Sequence, residues 1–213
     1  MLDKKTVLSM AKASHLVYGP RFTDFVGSSK FSVSIIGDSA FIAVCGSNDL
    51  LDWVENLMPR RHVSGLGWVH GGFYGAAKRI YKSMVSKYDF SGIKSVYVTG
   101  HSHGAPVSCL IGWMLGSKLG VKKILWAGFG CPKFLSVSAA NKISDMFYPG
   151  SCLAVNHFDD PVGKVGWLFM VHPGAVLLIG FNRMFMDISS HDSALYVKLI
   201  ESDKNFDLRI LEV

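Results

Sequence analysis

Cysteine is scarce in this sequence, and its four residues stand far apart at Cys45, Cys109, Cys131 and Cys152. They form no Cys-x-x-Cys pair and have no other spacing typical of a metal site. Three of them lie in apolar or strand-like surroundings. The pattern favours buried, reduced thiols over a cysteine-bound metal.

Charge is also sparse, at 18% of the residues, and it is not concentrated in one place. The net charge of +6 comes from scattered lysines and arginines, with short pairs such as Arg60-Arg61 and Lys78-Arg79. Nucleic-acid binding normally needs clustered basic residues with aromatic residues between them, so no nucleic-acid partner is expected. The positive balance is still compatible with mild attraction to an anionic surface, including a membrane.

The first 20 residues lack the continuous apolar stretch of a signal peptide. We therefore expect a cytoplasmic location or release by a signal-independent route, with peripheral contact at membranes left open. The longest apolar run, residues 165–181, is interrupted by His172-Pro173-Gly174. Because Pro-Gly breaks a helix, this run favours two buried strands around a turn over a membrane-spanning helix.

With 213 residues, 49% of them hydrophobic, the chain suits one globular domain over residues 1–213. Helical and strand-like patterns alternate along it. Strands are predicted at residues 30–38, 39–46, 94–100, 122–130 and 151–158, and helices at 1–20, 48–58, 70–88, 103–120, 136–147 and 190–202. Several strands are apolar on both faces, which predicts an α/β fold with a mostly parallel central sheet and helices on both faces.

The stretch VTGHSHGAPV, residues 98–107, places Ser102 between two histidines and two glycines, directly after a predicted strand. The pattern G-x-S-x-G is weak alone, but between a strand and a helix it is typical of a nucleophile elbow. There the serine adopts a strained backbone, and glycine at 100 and 104 avoids a clash between strand and helix. The alternative is a phosphate-binding or purely structural glycine turn.

A nucleophilic serine needs a base and a carboxylate that orients it, and in α/β-hydrolases these follow in the order Ser, Asp, His. Asp159 and Asp160 come after a predicted strand, and His191 precedes the last helix. His172 competes with His191 for the role of base, although its place inside an apolar run suits a hydrogen-bonded core histidine. The order along the chain favours His191.

Several segments, in this order, resemble the class 3 lipase family, the fungal-type triacylglycerol lipases. They are AVCGSNDLLDWVENL, VHGGFYGAA, VTGHSHGA, AGFGCPK, VNHFDDPV and HDSALY. The resemblance implies an α/β-hydrolase-type fold and a serine carboxylester hydrolase that acts on acyl lipids without a metal or organic cofactor. It makes Ser102 the nucleophile, Asp160 the orienting acid and His191 the base.

The resemblance also implies an oxyanion hole formed by the backbone N–H groups of Ser47 and His103. It makes the helix at 48–58 a candidate lid, which would cover the site in water and turn its apolar face to lipid. The residues expected to contact substrate from this helix are Leu50, Leu51, Trp53, Val54 and Leu57. An ordinary surface helix packed on the core is the alternative.

Three positions depart from the family pattern: Cys45, His103 and Ala105 stand where arginine, leucine and glycine are usual. The departures at His103 and Ala105 put the substrate preference in question. Phospholipase A1 and small-ester esterase are the alternative activities, and a non-catalytic lipid-surface or partner-binding module is the alternative from another class. His101 and His103 form an H-x-H pair, but no nearby carboxylate or cysteine completes a metal-ligand set.

Overall fold

The computed structural model of the chain describes residues 2–20, 24–46, 60–166, 169–180 and 186–203. Its helices are α1 (Lys4–Leu16), α2 (Gly71–Lys87), α3 (Gly104–Leu119), α4 (Val137–Met146) and α5 (Ser193–Ser202). Its strands are β1 (Asp24–Val26), β2 (Ser29–Ile36), β3 (Ser39–Val44), β4 (Arg60–Val63), β5 (Gly67–His70), β6 (Ser95–His101), β7 (Lys123–Phe129), β8 (Leu135–Ser136), β9 (Cys152–His157), β10 (Met170–Val171) and β11 (Ala175–Ile179). The predicted helix at 48–58 lies outside the described residues.

A seven-stranded sheet with the order β1-β2-β3-β6-β7-β9-β11 forms the centre of the molecule. From β3 onward every neighbouring pair is parallel. The strands β2 and β3, both predicted from the sequence, form an antiparallel hairpin whose turn is Gly37-Asp38. Gly37 has a φ of +60°, a backbone conformation that suits glycine in a tight turn.

Helices cover both faces of this sheet, as the sequence predicted. Helices α1 and α5 bury one face, and α2, α3 and α4 bury the other. In β7 the side chains of Ile124 and Trp126 point toward α3, whereas Leu125 and Ala127 point toward α1. Because both faces are buried, a strand in the middle of a parallel sheet needs an apolar residue at nearly every position.

A second, four-stranded sheet with the order β10-β8-β5-β4 was not predicted. Its neighbouring strands are all antiparallel. The run 165–181 supplies strands to both sheets, because β10 precedes the Pro173-Gly174 turn and joins the small sheet, while β11 follows it and joins the large one. The prediction of two buried strands is therefore only partly right, since β11 is an edge strand on which Val176 and Leu178 are half-buried.

None of the described helices is both long enough and apolar enough to cross a membrane.

Candidate active site

Ser102 lies at the turn between β6 and α3 and has a φ of 57°, in the left-handed region that a serine rarely adopts. Its amide donates a hydrogen bond to the carbonyl of Phe129 (2.9 Å), and its own carbonyl accepts one from the amide of Ala105 (3.0 Å). The residue is only 2% exposed. These bonds on both sides fix the strained backbone that the sequence predicted for this serine.

Two glycines allow this turn to form. A Cβ at Gly100 would overlap the carbonyl group of Gly104, and a Cβ at Gly104 would overlap the carbonyl oxygen of Val44. The strand before Ser102, the helix after it and the end of β3 thus approach to backbone contact. The predicted reason for glycine at both positions is confirmed.

Asp160 follows β9 and is fully buried. Its Oδ2 lies 2.7 Å from Nδ1 of His191, and its Oδ1 accepts a hydrogen bond from the amide of Val162 at 2.8 Å. His191 ends a short 3-10 helix, Ile188–His191, just before α5. Because the carboxylate only accepts, Nδ1 of the neutral imidazole carries the proton and Nε2 is left as the basic nitrogen.

Ser102 follows β6 and Asp160 follows β9, while His191 packs beside the residue that follows β7. The residue after Phe129 is Gly130, where a Cβ would lie 2.7 Å from Cε1 of His191 and 3.0 Å from Oδ2 of Asp160. In the part of the chain that the structure describes, Oγ of Ser102 and Nε2 of His191 are both buried without a hydrogen-bond partner. No hydrogen bond therefore joins the serine to the histidine, and each of the two atoms is left without a partner.

Tyr196 is a member of this site that the sequence analysis missed. Its hydroxyl donates to Oδ2 of Asp160 (2.6 Å) and accepts from the amide of His157 (2.9 Å). Burial, and then the negative charge of Asp160, raise the pKa of this phenol well above its ordinary value. The available signal was the tyrosine that closes the HDSALY segment, one turn into α5.

His101 and Tyr18 were also missed as partners. The hydroxyl of Tyr18 lies 2.9 Å from Nδ1 of His101, which is 4% exposed. Burial, and then the charge of His191, hold the pKa of His101 well below its usual range. No signal in the sequence connects these two residues, because 83 positions separate them.

His103, the other half of the H-x-H pair, is half-buried and lies edge-on to Phe73, with ring centroids 5.3 Å apart. Burial lowers its pKa to about 4. Within the described ranges, no group of three or more His, Cys, Asp or Glu residues is arranged to hold a metal ion.

The alternatives to His191 and Asp160 have different surroundings. Nε2 of His172 lies 2.7 Å from the carbonyl oxygen of Cys131, the kind of contact expected of a core histidine, and burial lowers its pKa to about 4. Asp159 is buried as well, but its amide bonds to Nδ1 of His157 (3.0 Å), and the contact to His191 belongs to Asp160.

The predicted oxyanion hole is described in part. His103 directly precedes α3, while Ser47 lies outside the described residues. A Cβ on Gly46 would lie 3.2 Å from Cβ of Ser102, so the chain that leads to residue 47 passes beside the serine. The predicted lid residues Leu50, Leu51, Trp53, Val54 and Leu57 also lie outside the described part.

Comparison with known proteins gives a family and several similar folds. The family Lipase (class 3) matches residues 41–168, which include Ser102 and Asp160. The triacylglyceride lipase of Rhizomucor miehei superposes with a TM-score of 0.71 at 16% identity, over 89% of this chain and 93% of that one. A lipase of Rhizopus microsporus var. chinensis superposes with a TM-score of 0.69 at 18% identity, over 82% of this chain and 74% of that one. The Lip2 lipase of Yarrowia lipolytica superposes with a TM-score of 0.68 at 17% identity, over 83% of this chain and 78% of that one.

A search of curated protein sequences returns no match. The structural likenesses establish the α/β-hydrolase-type fold, and the family match covers more than half of the sequence. The chain therefore belongs to the class 3 lipase family, which consists of carboxylic ester hydrolases.

Proposed function

We propose that this chain hydrolyses acyl esters of lipids, with Ser102 as the nucleophile, His191 as the base and Asp160 as the orienting acid. The observation that carries the proposal is the 2.7 Å contact between Asp160 and His191, at a site where Ser102 sits in a strained turn. Family membership supports the same reaction class.

In the first half of the reaction, Oγ of Ser102 attacks the ester carbonyl carbon while Nε2 of His191 accepts the hydroxyl proton. The resulting tetrahedral intermediate collapses as the C–O bond to the alcohol breaks, and the imidazolium of His191 gives its proton to the departing oxygen. The acyl group now remains on Ser102 as an ester.

In the second half, His191 accepts a proton from a water molecule that attacks the acyl carbonyl. The second tetrahedral intermediate breaks its bond to Oγ of Ser102, which takes the proton back from His191 and leaves the free acid. Asp160 stabilises the imidazolium in both halves, and two further donors on its oxygens, from Val162 and Tyr196, hold it in place.

The oxyanion of each intermediate would be bound by the backbone N–H groups of Ser47 and His103. Each such donor contributes on the order of 3 kcal/mol to the stability of the transition state. The position of Gly46 beside Ser102 supports residue 47 in this role.

The substrate class follows from the family and from the candidate lid. The apolar residues of the segment 48–58 suit contact with acyl chains and with a lipid interface. The proposal therefore includes peripheral contact with a lipid surface. It also treats residues 1–213 as one domain. Phospholipase A1 and small-ester esterase are the competing activities, and a lipid-binding module without turnover is the competing class.

The test of the catalytic residues is fluorophosphonate labelling together with hydrolysis of a chromogenic ester. We expect the wild type to be labelled and active, and Ser102→Ala and His191→Ala to lose both properties. Ser117→Ala, on the opposite end of α3, is the matched serine control and should keep them. Labelling of Ser102→Ala at the level of the wild type would refute the assignment.

The test of the substrate class is a rate panel over acyl chain lengths, below and above the concentration at which the ester forms micelles. A jump in rate at the interface supports the lid, and its absence contradicts it. Binding to vesicles without turnover of any ester would favour the non-catalytic module.

A further inference from the structure

We infer that Tyr18 and His101 form a positioning pair, which holds the imidazole of His191 in its productive orientation while adding no charge beside it. The inference rests on the proposed function, because it concerns the base of that reaction. It adds two residues to the site, one of them contributed by the segment after α1.

The contact between the two imidazoles is the first observation. The ring centroids of His101 and His191 are 4.5 Å apart and the ring planes are inclined by 34°. Both rings are buried, at 4% and 8% exposure. Asp160 holds the edge of the His191 ring through Nδ1, so His101 supplies the contact on its face. An edge contact and a face contact together leave the ring little freedom to rotate.

The hydrogen bond from Tyr18 is the second observation. Its hydroxyl lies 2.9 Å from Nδ1 of His101, within hydrogen-bond distance, and this contact fixes the His101 ring in turn. A Cβ on Gly46 would overlap this hydroxyl oxygen. The phenol thus touches both the strand that carries Ser102 and the segment that leads to Ser47. One side chain thereby links the ring that packs on the base to Gly46.

The charge state of His101 is the third observation. The phenol of Tyr18 lies beside Nδ1, and within the described residues Nε2 is buried without a hydrogen-bond partner. Burial, and then the charge of His191, keep the pKa of His101 far below its usual range, and the backbone of His191 partly opposes the fall. The titratable groups around the pair are His15 within α1, Cys45 just after β3, His191 just before α5 and Tyr196 within α5.

An uncharged partner matters because His191 becomes an imidazolium in both halves of the reaction. A second positive ring at 4.5 Å would repel that cation when it forms. Tyr18 stays a phenol because burial raises its pKa, with a contribution from Cys45 in the same direction. The pair therefore packs against the base, orients it, and leaves the charge on Asp160 as its nearest electrostatic partner.

The experiment compares Tyr18→Phe, His101→Asn and His101→Leu with the wild type. Asn keeps an uncharged hydrogen-bonding group near the position of Nδ1, whereas Leu removes it. We expect kcat to fall roughly 10- to 100-fold in His101→Leu with KM within about twofold, since misplacement of a reacting group acts on the chemical step. We expect Tyr18→Phe to lose less and His101→Asn to recover most of the loss.

A double variant tests whether the two residues act as one unit. Tyr18→Phe in the His101→Leu background should add little further loss, because the hydrogen bond is already gone. Additive losses would contradict the pair. Tyr97→Phe, a half-buried tyrosine of β6 that stacks on Phe41 away from the site, is the matched control and should behave as the wild type.

Two further readouts separate positioning from a general structural role. The low-field NMR signal of the Nδ1 proton of His191 should shift or broaden in His101→Leu and stay unchanged in Tyr97→Phe. The acid limb of the kcat/KM profile should show one ionisation in the wild type. If the wild type shows two ionisations on the acid limb and His101→Asn shows only one, the inference that His101 is uncharged is wrong.

The outcomes distinguish this inference from the proposed function. A wild type that neither hydrolyses esters nor reacts with the fluorophosphonate refutes the function. A wild type that does both, with kcat and the NMR signal unchanged in Tyr18→Phe and His101→Leu, refutes the pair alone. If His101→Leu fails to fold, the comparison of kcat and of the NMR signal between Tyr18→Phe and Tyr97→Phe tests the pair instead. The two variants are matched because each removes one oxygen atom.

Discussion

Gly104, the first residue of α3, lies so close to Val44, the last residue of β3, that a Cβ on the glycine would overlap the carbonyl oxygen of the valine. The contact joins the helix that follows Ser102 to the strand that leads to Ser47. Both groups are backbone, so neither can move aside by changing a rotamer. The contact therefore sets the spacing between the start of α3 and the end of β3.

Gly104→Ala should therefore destabilise the fold by about 2–3 kcal/mol, since the added methyl group forces strand and helix apart. Urea denaturation measures the loss. Gly75→Ala is the control, because its Cβ would come no closer than 3.6 Å to Nη1 of Arg79, and alanine within a helix gains about 0.5–1 kcal/mol over glycine. Equal stability of Gly104→Ala and the wild type would contradict the overlap.

Asp160→Asn should lower kcat by roughly 10³- to 10⁴-fold, because an amide neither stabilises the imidazolium nor enforces the tautomer of His191. Steady-state ester hydrolysis gives the value. Asp159→Asn is the matched control and should keep most of the activity. If the two variants exchanged these effects, Asp159 would be the acid.

Tyr196→Phe removes the hydroxyl that donates to Asp160 and accepts from the amide of His157. The amide is buried and would lose its partner, so the free energy of unfolding should drop by about 1–3 kcal/mol. The less firmly held carboxylate should lower kcat by roughly tenfold, equivalent to about 1.4 kcal/mol. Tyr148→Phe, an exposed tyrosine, should change neither quantity.

Stability should depend on pH through His172 and His103, whose pKa values fall on folding. The pKa of His172 and of His103 is about 4 in the folded chain against 6.5 without the fold, so the unfolded state binds more protons between these values. The contribution of these histidines to the free energy of unfolding is therefore at its maximum above about pH 6.5. It falls as the pH is lowered toward 4, by about 1.4 kcal/mol per pH unit for each proton that is taken up on unfolding.

His172→Gln removes one of these groups and should make the slope smaller by up to one proton. Denaturant titrations at pH 7, 6 and 5 measure it in both proteins. A slope that is identical with and without His172 would show that this ring does not titrate differently in the two states.

The serine turn could be predicted from the sequence because all of its determinants are local. An apolar strand, a glycine-flanked serine and a helix follow one another within the segment 94–120, and each constrains the next. The strands of the parallel sheet were equally clear, since burial on both faces requires long apolar runs. The choice of Asp160 over Asp159 needed the family resemblance, and the structure supports it through the contact to His191.

The small sheet could not be predicted, for a physical reason. Its strands are four, four, two and two residues long, too short for an alternating pattern to be visible. Val69 and Leu135, which pair across it, are far apart in the sequence. The contact of Tyr18 with His101 depends in the same way on where α1 docks on the sheet, which no local pattern specifies.

The backbone of Ser102 has one more consequence, for protein engineering. A left-handed conformation costs a residue with a side chain about 1–2 kcal/mol, and glycine avoids most of that cost. Ser102→Gly should thus survive heating better than the parent while having lost its reactive oxygen. A screen that selects for heat resistance without measuring turnover would enrich inactive variants at this position. Thermal stability and catalytic activity therefore have to be selected together.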